Sequence, residues 1–203
     1  VADLPRIAVL ASGEGTNLQA LIDRLHGRDV QIVGVGTDKP GARALERAAA
    51  AGIPTRAFPL ADYADRPARD AAIAGWLRDD LAAGVIVLAG YMALLTPGFI
   101  AAFRDRIVNV HPSLLPQFPG LRAIEQALEA GAAETGVTVH LVDEGVDTGP
   151  VLLQQAVPIA DGADAAIVRA ALAPVEHDLL CRAVAALAVG HAQAAGSDRI
   201  GGL

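Results

Sequence analysis

Five apolar residues, Ile7 to Ala11, run without interruption into Ser12-Gly13-Glu14-Gly15-Thr16-Asn17, after which Leu18, Leu21, Ile22 and Leu25 recur at the spacing of one helical face. A strand that hands over to a helix through a tight turn must return to its sheet by a crossover, and this constrains the chain to an α/β arrangement with parallel strands. The alternation continues. Apolar runs predict further strands at Gln31 to Val35, Val85 to Leu88 and Ile107 to Val110, and helical patterns cover Arg43 to Ala51, Pro67 to Leu81 and Ile124 to Ala130. Val137 to Val142 and Val151 to Val157 then follow each other with no helix between them, so the sheet is expected to become antiparallel or mixed towards its C-terminal part. A last helix is expected from about Ala163 to Ala188, with Pro174 as the place where it would break.

No Pro/Gly/Ser-rich linker or shift of composition divides the 203 residues, which predicts one domain over 1–203. Hydrophobic residues make up 53% and charged ones 19%, a balance that can fill a core. Cys181 is the only cysteine, so neither an internal disulfide nor a cysteine metal cluster can be built, and no histidine pair has metal-ligand spacing. With a net charge of −7 and Lys39 as the only lysine, nucleic acid is not expected as a partner. The N-terminus lacks a signal-peptide pattern and no uncharged run is long enough to span a membrane, so a cytoplasmic protein without a membrane partner is expected.

The turn from Ser12 to Leu18 follows a strand and opens a helix, so its N–H groups would face an anion. It departs from the dinucleotide fingerprint, because Leu18 stands at the third glycine position and Asp38, beside Lys39-Pro40, is a poor ribose ligand. A small phosphate monoester fits better.

Further along, Asn109-Val110-His111-Pro112 closes a predicted strand, and residues two apart on a strand share a face. Asn109 and His111 therefore point one way while Val108 and Val110 pack the other. Pro112 and Pro116 stiffen the loop behind the imidazole, and Asp147, in a glycine-flanked loop, is placed to reach it. An amide, an imidazole and a carboxylate can move an acyl group without a covalent serine intermediate, and no G-x-S-x-G elbow surrounds Ser113. His140 lies on the same strand face as Thr138 and Val142 and is expected to be a hydrogen-bonded structural residue beside the site. His26 reads as a cap at the end of the first helix.

These stretches, together with Leu88-Ala89-Gly90-Tyr91-Met92, Phe118-Pro119-Gly120 and Thr135 to Pro150, resemble the phosphoribosylglycinamide formyltransferase family, within the folate-dependent formyltransferases. The likeness runs nearly end to end and implies a Rossmann-like fold, with phosphate binding in about 1–100 and folate binding and catalysis in about 101–203. Members that act on tRNA, or that release formate, usually carry a further domain for which the chain is expected to have no room.

The resemblance further implies that Gly15, Thr16 and Asn17 hold the phosphate of glycinamide ribonucleotide, with Gly90 and Glu176 contacting the rest. Arg66 and Tyr91, Met92, Ala93, Leu94 and Leu95 would form the folate-side wall, with Val142, Asp143, Glu144 and Asp147 around the pterin and Asn109 shared with catalysis. Ala93 stands where many relatives carry arginine, so contact there would come from the main chain. The implied co-substrate is 10-formyltetrahydrofolate, with no metal, and the implied state is monomer or homodimer. Asn109 and His111 would stabilise the tetrahedral adduct, while Asp147 orients the imidazole. Two alternatives remain open at this level: a formyltetrahydrofolate hydrolase using the same trio, and a nucleotide-binding module or dehydrogenase using only the glycine turn.

Overall fold

The computed structural model describes residues 4–200, with side chains to residue 191. Strand β1 (Arg6–Leu10) feeds helix α1 (Thr16–Arg24), β2 (Gln31–Thr37) feeds α2 (Arg43–Ala50), and a short β3 (Thr55–Ala57) ends the first excursion. Helix α3 (Arg66–Gly75) follows, then β4 (Val85–Leu88), α4 (Pro97–Ala102), β5 (Ile107–His111), α5 (Ala123–Glu129), β6 (Glu134–Leu141), β7 (Val151–Pro158) and α6 (Ala165–Ile200). The strands form one sheet in the order β3-β2-β1-β4-β5-β6-β7. Pairing is parallel from β3 to β5 and antiparallel for β5–β6 and β6–β7. The α/β class and the antiparallel C-terminal portion expected from the sequence are both present.

Strand alternation divides the core into two layers. Ile7, Val9, Val85, Val87, Val108, Val110, Val137 and Val139 face α1, α2, α5 and α6, whereas Ala8, Leu10, Ile86, Leu88 and Ile107 face α3 and α4. The strands at the centre of the sheet are thus buried on both sides, the condition for a parallel sheet.

Beginning at β1 the chain moves outward through β2 to β3, then returns to the other flank of β1 with β4. The direction of winding reverses between β1 and β4, and in open sheets of this kind the crevice beyond the carboxyl ends of the strands at that reversal is the place for a ligand. The turn Ser12–Gly15 and Gly90 lie there.

Several elements differ from expectation. Strand β3 and helix α4 carry no clear sequence pattern; α4 is six residues with proline at its first position. The predicted helix 67–81 is α-helical only to Gly75 and closes as a π turn over Trp76–Asp80, with Leu81 N–H bonding to the Trp76 carbonyl at 3.0 Å. Trp76 packs against Gly34 of β2, where an added Cβ would stand 3.0 Å from the indole and run into Leu81.

Pro174 does not break α6, which is continuous. An interior proline costs about 3 kcal/mol, but Leu172, Leu179, Leu180 and Val184 of the same helix are all nearly or fully buried on the sheet, and each contributes about 1.5–3 kcal/mol. Packing outweighs the local penalty. His26 is not a cationic cap: its Nδ1 accepts the Ile32 N–H at 3.1 Å, burial lowers its pKa, and Arg24 supplies the charge in the last turn of α1.

Candidate active site

The anion cradle is built from main chain. Gly15, in the left-handed region at φ 72°, caps α1, and no side chain occupies the cap. A Cβ here would stand 2.8 Å from the Ala44 Cα, so glycine is required both by conformation and by the close approach of α2. The first intrahelical bond is Gln19 N–H to the Gly15 carbonyl, and the first turn holds no acidic residue, which leaves the opening N–H groups to an anion. Helix α2 braces the turn. Ala44 N–H bonds the Gly13 carbonyl at 3.1 Å, and Arg47 Nε donates to the Glu14 carbonyl at 2.8 Å.

Beside this cradle, Asn17 donates through Nδ2 to Glu176 Oε2 at 3.0 Å, and its Oδ1 is buried with no partner. Burial raises the pKa of Glu176, against the opposing effects of the Asn17 hydrogen bond and of Arg169 and His111. Gly90, at φ 75°, is tied to the same turn by the Ser12 N–H at 3.1 Å. Gly15, Thr16, Asn17, Gly90 and Glu176 thus meet at one place, although they span most of the sequence.

The second half is made of side chains. The antiparallel register sets Asn109 opposite His140 and His111 opposite Thr138, all on the face away from the α6 layer. Asn109 Nδ2 lies 3.2 Å from His140 Nε2 and donates to Asp147 Oδ1 at 3.4 Å. His111 Nδ1 stands 3.4 Å from Asp147 Oδ2. Asp147 sits at φ 55°, and its Oδ2 accepts the Gly120 N–H at 2.8 Å. The asparagine, the histidine and the aspartate predicted to act together are brought together.

Carbonyl partners fix the tautomers. A carbonyl can only accept, so His111 Nε2, 2.9 Å from the Phe118 oxygen, carries a hydrogen, and His140 Nδ1, 2.8 Å from the Leu141 oxygen, does too. His111 Nδ1 is left as the nitrogen whose proton can come and go. His140 Nε2 lies between the Asn109 amide, at 3.2 Å, and Asp147 Oδ1, at 3.5 Å. Burial alone would push the Asp147 carboxyl up; the His140 hydrogen bond, the Gly120 N–H and the charges of His111 and His140 outweigh it and bring the pKa down to about 2.

These groups open into a cavity of about 340 Å³. All of the expected folate-side residues line it: Arg66, the run from Tyr91 to Leu95, Asn109, Val142, Asp143, Glu144 and Asp147. Its rim is apolar. Met92, Leu94, Leu121 and Val146 are each more than half exposed there, a concentration suited to a flat ring system rather than to water. Tyr91 is buried with its hydroxyl unpartnered, and burial raises its pKa to about 12.

Sequence reasoning misses Ser12, Gly120 and the Phe118 carbonyl, and it places His140 as a hydrogen-bonded structural residue beside the site, where it is found next to Asn109 and Asp147. Gly120 and Phe118 act through main-chain atoms, at which only the Phe-Pro-Gly turn hints, and Ser12 acts through its hydroxyl as well as its N–H. Arg69 and Asp70, nearly fully buried, are missed as well: they pair at 2.7 Å, and Asp70 Oδ2 accepts the Thr96 N–H at 2.7 Å, fastening the cavity wall to α3. A larger groove of about 640 Å³ lies between β7 and α6 and holds none of the expected site residues. No group of three His, Cys, Asp or Glu that could hold a metal occurs among the described residues, and no helix there is long and apolar enough to cross a membrane.

An anion cradle at the switch point, next to an amide–imidazole–carboxylate cluster on an antiparallel pair, is the layout of the formyl transferase fold, and the formyl transferase family profile matches residues 5–184. The sequence is 44% identical to phosphoribosylglycinamide formyltransferase from Mycobacterium tuberculosis, covering 90% of this chain and 85% of that protein. It is 46% identical to the trifunctional purine biosynthetic protein adenosine-3 of Drosophila pseudoobscura pseudoobscura over 91% of this chain, but spans only 14% of that longer protein. Among solved structures, glycinamide ribonucleotide transformylase 1 from Symbiobacterium toebii superposes with a TM-score of 0.90 at 42% identity, over 94% of this chain and 90% of that one. The chain belongs to the phosphoribosylglycinamide formyltransferase family.

Proposed function

We propose that this protein transfers the formyl group of 10-formyltetrahydrofolate to the amine of glycinamide ribonucleotide, giving formylglycinamide ribonucleotide and tetrahydrofolate. The observation that carries the reading is the adjacency of two half-sites of different make: main-chain donors for a phosphate on one side, and an acid–base cluster on an apolar-rimmed cavity on the other. Gly15, Thr16 and Asn17 hold the phosphate. The buried Asn17 Oδ1, which has no partner of its own, and the Glu176 carboxylate suit the hydroxyl and amine donors of the acceptor. The folate ring occupies the cavity between the Tyr91 to Leu95 wall and the loop from Val142 to Asp147, with Arg66 at its edge.

The acceptor nitrogen attacks the formyl carbon and the carbonyl oxygen gathers negative charge. The Asn109 amide and His111 are the donors for that oxygen, and preorganised donors of this kind are worth about 10²–10³ in rate each. The amide is engaged by His140 and Asp147, so substrate must draw one N–H towards itself, as is common for sites that tighten on binding. With Nε2 fixed on the Phe118 carbonyl, His111 exchanges its proton through Nδ1, carrying it between the new ammonium and the departing folate nitrogen. Asp147, ionised throughout the neutral range, holds the imidazolium and its orientation without becoming a nucleophile.

The test is formyl transfer followed by folate absorbance, with and without glycinamide ribonucleotide, and with His111→Ala as control. Acceptor-dependent turnover lost in the variant is the expected result. Formate release without acceptor would assign the protein to hydrolysis instead, and tight NAD binding without transfer would return it to the dinucleotide reading.

A further inference from the structure

Ser12 stands between the two half-sites and is only 5% exposed. Its N–H bonds the Gly90 carbonyl at 3.1 Å, its Oγ accepts the Met92 N–H at 2.8 Å, and the same hydroxyl donates to Asp38 Oδ1 at 2.5 Å. Asp38 follows the end of β2, Ser12 begins the anion turn, and Met92 belongs to the cavity wall. A serine hydroxyl has a single proton and rotates freely unless something claims it. A carboxylate claims it strongly, which turns the oxygen lone pairs towards Met92 and strengthens the bond they accept. The carboxylate that would have served a ribose in a dinucleotide site is thereby committed to another task.

We propose that Asp38 and Ser12 are positioning residues that set the distance between the acceptor cradle and the donor wall, so that they govern the transfer step more than the binding of either substrate. Neither touches the reacting atoms. Gly90 and Met92, the two points that Ser12 grips, belong to the acceptor half and the donor half of the proposed site. An error of about 1 Å between attacking and accepting atoms can cost about 10²-fold in rate, whereas each substrate keeps its own contacts if the halves slip together or apart. The inference rests on the proposed formyl transfer.

The experiment compares Asp38→Ala, Asp38→Asn, Ser12→Ala, Ser12→Thr and the Asp38→Ala/Ser12→Ala pair in steady-state transfer with both substrates varied. Asp38→Ala and Ser12→Ala are expected to lower kcat about 10- to 100-fold while both KM values stay within about threefold. The double variant is expected to be no slower than Ser12→Ala, because both act through one chain of hydrogen bonds. Asp38→Asn keeps an acceptor oxygen and Ser12→Thr keeps the hydroxyl, so both should return to within about threefold of wild type. A purely structural role would lower Tm without separating kcat from KM. Unchanged kcat in Asp38→Ala, losses that multiply in the double variant, or Asp38→Asn as slow as Asp38→Ala would overturn the inference. Asp38 is only half-buried, so its variants decide the matter even if Ser12→Ala does not fold. Absence of transfer by the wild-type chain would remove the proposed function itself, a result distinct from normal transfer with an unaffected Asp38→Ala.

Discussion

The parallel and antiparallel halves of the sheet reach the same crevice with different materials. At the ends of β1 and β4 the anion side is backbone, a left-handed glycine, a helix start with no side-chain cap and the carbonyl of Gly90, with the Asn17 and Glu176 side chains beside it. At the ends of β5 and β6 it is side chains, with Asn109, His111 and His140 set in register and Asp147 reaching across from a loop. The phosphate of the proposed acceptor carries the same charge in every turnover, so rigid dipoles suffice for it. A reacting carbonyl changes charge and geometry, and only groups that gain and lose protons can follow it. The phosphate contact itself should therefore tolerate uncharged changes of side chain that leave the main chain of Gly15 and Thr16 in place, and the second half should not.

His111→Ala and Asp147→Asn put this contrast under the greatest load. Each is expected to lower kcat by about 10²–10⁴ while leaving acceptor affinity within a few-fold; parallel losses of acceptor binding, measured by calorimetry, would show that the halves are not separable. Next comes Asp70→Ala, which leaves Arg69 buried and unpaired at 3% exposure. Removing one member of a buried pair costs about 3–5 kcal/mol, readable in urea denaturation. Because Asp70 holds the Thr96 N–H, the surviving activity should show a raised KM for the folate and an ordinary one for the acceptor.

Thr16→Asp tests the other half. A carboxylate in the first turn of α1 favours the helix dipole by about 0.3–1 kcal/mol, yet it occupies the anion site, so Tm should hold or rise while acceptor KM rises about 10²-fold. An unchanged KM would count against phosphate at that turn.

A milder effect concerns acid. The folded pKa of Asp147 is about 2, below the ordinary value of 3.8, so the fold favours the ionised form. Its contribution, about 2 kcal/mol by linkage, is fully present above about pH 4 and is lost as the pH falls towards 2. Stability of the wild type, but not of Asp147→Asn, should carry this limb between about pH 4.5 and 2; coincident curves would mean that the carboxylate is not held by its neighbours.

What can be read from the chain follows the same division. Local patterns locate β1, α1, β2, β4 and β5, since each is a continuous apolar run or a helical stripe, and strand alternation alone puts Asn109 and His111 on one face. Neither β3, a three-residue edge strand with Thr55 and Arg56 exposed, nor the proline-started α4 offers such a pattern. The position of His140 beside Asn109 is a matter of antiparallel register, a relation between strands that no local window contains. Phe118 and Gly120 contribute main-chain atoms, for which residue type is nearly silent. Pro174 misleads because its penalty is local while the compensation comes from the sheet. Arg69, Asp70, Ser12 and Asp38 look like ordinary turn and helix residues until folding buries or joins them.

The π turn that closes α3 has a bearing on how this chain can vary in length. Over Trp76–Asp80 the backbone uses one residue more than an α-helix needs for the same advance, with Leu81 reaching back five positions to Trp76. Upstream, Asp70 is anchored to the cavity wall; downstream, β4 is locked between β1 and β5. The surplus residue lies between two fixed points. Deleting one residue there would let the segment relax to ordinary α-helix with both anchors still in register, whereas the same deletion inside β4 would turn every later side chain of the strand to the wrong face. The bulge is the natural expansion joint between the cavity wall and the centre of the sheet.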